Sequence, residues 1–208
     1  MFIRALFAAA IFAIGSQPAF SQDSLSDIKE KLAGKTSELE EVDQLLAHAD
    51  KNHRIAAMEL LLRSGNPIFV KRAKETGLFS SDPEMQQAAL NAVFDSGGPF
   101  RLVLDLSGKD DEEHLVKAWS NQLIWNPETS LAEFVFRTAP FDAKAQCWKF
   151  PENNTCAIYL SGTTASIRDW YNASGSFQLG GDGRLSGTFR NTGSPKSVPV
   201  PAYIPLAE

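Results

Sequence analysis

Cysteine and histidine are scarce in this chain, with two of the former and three of the latter in 208 residues. Two thiols, Cys147 and Cys156, with no histidine beside them cannot complete a tetrahedral zinc sphere. His48 and His53 stand five apart across a helix start, the wrong spacing for a pair of ligands on one helical face. No metal and no cofactor are therefore expected. The chain also lacks a Gly-x-Ser-x-Gly elbow and a glycine-rich phosphate loop, which removes the readable signatures of serine hydrolases and nucleotide-binding enzymes. Glu128 and Glu133 are the carboxylates one would nominate for a hydrolase, yet they look like a turn and the wet face of a strand. No catalytic residue is assigned.

Basic stripes are absent too. From Gln22 to Glu113 there are 18 acidic and 11 basic residues, and from His114 to Glu208 there are 7 and 8. Neither half can neutralise a run of phosphates, so nucleic acid is not an expected partner. The uneven balance points to two structural units. Long apolar runs are missing after residue 21, so no later segment can cross a bilayer. The one apolar run, ALFAAAIFAIG, follows Arg4 and precedes Ala19-Phe20-Ser21, small residues where a signal peptidase cuts. Residues 1–21 are read as a signal peptide, which makes the mature protein periplasmic or secreted.

What is present is a phrase written twice. DKNHRIAAMELLLRSGNP begins at Asp50 and DPEMQQAALNAVFDSGGP begins at Asp82. The shared aspartates suit helix N-caps. Pro83 suits a first helical position. Gly65 and Gly97 suit left-handed helix ends, each followed two residues later by a proline. Between the caps, Met85, Ala88, Ala89, Ala92 and Val93 form one face, matched by His53, Ala56, Ala57, Leu60 and Leu61. IFVKRAKETGL and FRLVLDLSG then read as second helices, and Glu38 to Ala49 as a capping helix. Over residues 50–105 this grammar resembles a HEAT-type helical repeat, a likeness that implies a protein-binding or scaffolding role.

Past KDDEE (109–113) the texture turns to alternation and turn chemistry. LAEFVFR, TCAIYLSG and the hairpin SGSFQLGGDGRLSGTFRN read as strands. SVPVPAYIPL, with its prolines, reads as an edge strand or extended tail. Five to seven strands in an antiparallel barrel or sandwich are expected. Cys147 and Cys156 bracket a turn-rich stretch and should pair in an oxidising compartment. The hairpin from Trp170 is similar to the first hairpin of the avidin family, in which the positions matching Asn172 and Ser176 bind biotin. Only about thirty residues follow it, too few for that eight-stranded barrel, so biotin is not expected.

The fold class is thus α+β. Residues 1–21 are a leader, 22–36 a linker, 37–113 a helical-repeat domain and 114–208 a β domain. The aromatic residues Trp125, Trp148, Trp170 and Tyr171 are the candidate binding residues. The leading functional expectation is a non-catalytic interaction or adaptor protein with a protein partner. The alternatives are a small-ligand or glycan-binding β domain with a helical collar, and a hydrolase whose site the sequence does not reveal.

Overall fold

A computed structural model describes residues 24–108, 123–170, 172–193 and 198–207. The leader, the 109–113 acidic run, His114, Trp119 and Tyr171 lie outside the described residues. Among the described residues, four helices come first: α1 (Leu25–Leu46), α2 (Lys51–Arg63), α3 (Pro67–Leu78) and α4 (Pro83–Asp95). Nine strands follow among the described residues: β1 (Phe100–Asp105), β2 (Ile124–Asn126), β3 (Leu131–Phe136), β4 (Trp148–Lys149), β5 (Cys156–Ser161), β6 (Thr164–Trp170), β7 (Ala173–Leu179), β8 (Arg184–Asn191) and β9 (Val200–Pro205). The α+β class stands, and the region beyond residue 113, expected to hold five to seven strands, holds eight, β2 to β9, among the described residues. The chain divides into two units after Glu38.

The stretch expected as a linker is helical from Leu25. Ser24 and Asp27 explain the early start. The Asp27 amide donates to Ser24 Oγ at 3.2 Å and the Ser24 amide donates to Asp27 Oδ2 at 3.1 Å, a reciprocal cap. Leu25, Ile28 and Leu32 share one side of this segment and are exposed.

From Leu39 onward, the repeated phrase folds largely as its caps dictate. Asp50 accepts from the His53 amide and Asp82 from the Glu84 amide. Gly65 and Gly97 have φ of 72° and 81°. Both copies bury matching positions, Ala57 with Ala89, Met58 with Leu90, and Leu61 with Val93. The inward face of the first copy differs from expectation. His53, Ala56 and Leu60 are exposed, and His53 stacks on His48 at 4.0 Å instead of entering the core. Gly77 of α3 lets three helices meet. A Cβ there would lie 2.5 Å from Ala89 Cβ and 2.8 Å from Met58 Sδ.

The second copy departs from the first after its glycine. FRLVLD is β1, not a helix, and Leu102, Val103 and Leu104 are all buried. A second left-handed glycine, Gly98 with φ 79°, redirects the chain at this point. An apolar run covered on both faces can hold a strand as readily as a helix. Leu39–Glu208 form one compact unit, in which helices and strands share one apolar core.

The sheet is antiparallel throughout, in the order β2-β3-β1-β9-β8-β7-β6-β5-β4. β9 lies inside the sheet, which corrects its reading as an edge or tail. Within β9, Ala202 and Tyr203 are the residues that pair with β1, so Pro201 and Pro205 lie outside the stretch bonded on both sides. In a flat sheet β3 and β6, five spacings apart in this order, would stand ~24 Å from each other at ~4.8 Å per strand. Phe134 of β3 and Trp170 of β6 instead touch, with ring centroids 4.0 Å apart. The sheet is therefore curled into a half-barrel. Beyond β3, the Ala139 amide donates to the Lys149 carbonyl at 2.8 Å and draws the two ends together.

The disulfide Cys147–Cys156 is formed. Beside it, Asp142 accepts from Lys149 Nζ at 2.7 Å and from the amides of Lys144 and Ala145. The Lys149 ammonium first, and those amides with it, hold the Asp142 carboxyl down at about 2. Because the folded value lies below the ordinary one of about 3.9, this turn's contribution is complete above that pH. It is lost as pH falls through about 2. In urea titrations, Asp142→Asn should unfold at lower urea than wild type at neutral pH, and the two midpoints should converge in acid.

Candidate functional site

The aromatic residues singled out in the sequence are mostly interior. Trp170 is buried, with its ring against Phe134 and, at 5.9 Å, Phe189. Trp148 is also buried. It packs on Phe94 and Phe141, and its indole N–H donates to Asp95 Oδ1 at 2.7 Å, which ties the end of α4 to the sheet. Thr138 adds a second tie, its hydroxyl donating to the Phe94 carbonyl at 2.6 Å. Both tryptophans are core residues. Trp125, on the short strand β2, is half-buried, and its indole N–H is buried without a hydrogen bond among the described residues. No ring contact joins Trp125, Trp148 and Trp170 among the described residues.

Phe177 and Phe189 fill the rest of the curl, both fully buried. Asn172 and Ser176, the pair matching the biotin-binding positions, are exposed. Ser176 must face away from the interior because its neighbour Phe177 faces into it. Glu133 lies 3.8 Å from Arg101, and Glu128 is exposed at a turn. Among the described residues no three His, Cys, Asp or Glu side chains converge as metal ligands.

Space for a ligand lies on the helices. Pro67 opens α3, and the Asn66 side chain caps it by accepting from the Ile68 amide at 3.0 Å. The helix then places Val70, Lys71, Lys74, Glu75 and Leu78 along one side. The Gly97-Gly98-Pro99 turn brings Phe100 and Arg101 opposite them, and the end of β9 adds Leu206. A cleft of about 490 Å³ results. A second groove of about 350 Å³ runs between α2 and α4 and shares Val70, Lys74 and Ser96 with the first.

Lys74 stands where the two meet. It has no acidic partner among the described residues, and burial pushes its ammonium below the ordinary lysine range. Lys71 has Glu75 at 3.8 Å, and Arg101 has Glu133. The larger cleft thus holds three cationic side chains and one carboxylate in a chain whose formal net charge is −5. The sequence does not single out Lys74, because its burial depends on a turn and a strand end far along the chain. Comparison with protein-family models, curated proteins and solved structures finds no match to the chain.

Proposed function

We propose that this is an exported, non-catalytic interaction protein whose helices α2 to α4, arranged as a short HEAT-like layer, carry the partner surface. The observation that carries this reading is the packing of Trp170, Phe134, Phe177 and Phe189 inside the curled sheet. That packing fills the curl with buried aromatic rings, while the two clefts described above open on the helical side. Leu60 of α2 and Ile68 of α3 are exposed on the same helical layer that carries the two grooves. Exposed apolar side chains on a layer with concave relief suit a protein partner. Export rests on the leader pattern of residues 1–21 and on the Cys147–Cys156 bond, which belongs to an oxidising compartment. No described helix is long and apolar enough to cross a membrane.

Photo-crosslinking tests this reading in the native periplasm. A photoreactive residue at Leu60 or Ile68 should yield one protein adduct of defined mass, and the same residue at Thr188, on the sheet, should yield none. Adducts from Thr188 alone, or a small molecule that co-purifies with the protein while no adduct forms, would overturn it.

A further inference from the structure

We infer that the cleft between α3, the α4–β1 turn and the end of β9 binds a small amphiphilic organic anion, with an acid head group on Lys74 and an apolar body against Val70, Leu78, Phe100 and Leu206. This goes beyond the partner surface proposed above and does not depend on it. Three independent features point the same way.

The first is size. About 490 Å³ falls within the ~300–1,000 Å³ range of small-molecule sites and is far more than a single bound water needs. The second is wall chemistry. The apolar residues lie on three different elements, so the cleft is a built concavity and not the gap beside one helix. The third is charge. Lys71 and Arg101 each have a carboxylate within 4.0 Å, but Lys74 has none among the described residues although it is half-buried. A partly desolvated ammonium with no counter-ion is an incomplete arrangement, and an anionic head group would complete it with charge-assisted hydrogen bonds. A cationic ligand would meet the net positive charge of the lining, and a neutral one would leave Lys74 unsatisfied.

Decanoate, decanol and decylamine share a chain and differ in head group, so they separate the contributions. Calorimetry on the mature protein should show decanoate binding, with decanol and decylamine at least tenfold weaker. Lys74→Met keeps the apolar stem and removes the charge. It should weaken decanoate at least tenfold while leaving the melting temperature equal or higher, because a desolvated unpaired cation has been removed. Decanoate should also slow acetylation of Lys74, followed by mass spectrometry, without slowing that of Lys144 on the exposed turn. Failure of decanoate to bind at millimolar concentration, undiminished binding to Lys74→Met, or equal binding of decylamine would each overturn the inference. The crosslinking pattern at Leu60 and Ile68 would stand or fall separately.

Discussion

Trp170→Ala is expected to lower the unfolding free energy by about 3–5 kcal/mol, the usual cost of deleting a large aromatic side chain from a core. The size follows from where the side chain sits. Trp170 meets Phe134 across the curl at 4.0 Å and Phe189 at 5.9 Å, so it bridges strands that are not neighbours in the sheet. Removing it leaves a cavity that the surrounding rings cannot readily fill, because each is held by its own strand register. Chemical denaturation with and without the substitution measures the loss. Trp170→Phe should recover more than half of it, since most of the apolar volume returns. If Trp170 instead lined an open binding surface, the alanine variant would stay within about 0.5 kcal/mol of wild type.

Breaking the Cys147–Cys156 bond should remove about 2–3 kcal/mol. The two cysteines are nine residues apart, and closing a loop of that size restricts the unfolded chain by about this amount. The loss should be felt beyond the loop. Cys147 directly precedes Trp148, whose indole N–H anchors Asp95 at the end of α4. A double substitution, Cys147→Ala with Cys156→Ala, should therefore lower the denaturation midpoint. It should also raise amide exchange near Thr138 and Asp95. Wild type treated with reductant should match the double variant, and the double variant should no longer respond to reductant. An unchanged midpoint in both cases would mean the bond contributes nothing to this fold.

Much of the helical part was legible because its signals are local. The Asp50 and Asp82 caps, the proline at the first position of α4 and the left-handed Gly65 and Gly97 each act within a few residues. The GGDG hairpin and the close cysteine pair were legible for the same reason. The misreadings share a different cause. FRLVLD follows the same glycine-proline phrase as α3, but its state is fixed by pairing with β3 and β9, which no local window contains. β9 sits between β1 and β8 despite its prolines because few of its residues need bonds on both sides. Ser24-Leu25-Ser26-Asp27 was a readable capping signal for α1. The orientation of the tryptophans was not readable, since alternation says which residues share a face but not which face a curled sheet encloses. Lys74 was hidden in the same way, an ordinary residue of a helical run until α4, β1 and β9 close around it.

Aromatic side chains fill the curled sheet, and open relief lies on the helical side. Diffraction from crystals held under xenon tests this arrangement most directly, because xenon enters apolar cavities that lack side chains. Any xenon sites should fall in the clefts beside Val70 and Leu78. Xenon bound among Phe134, Trp170 and Phe177 would contradict it, because the sheet would then enclose a cavity able to take a ligand.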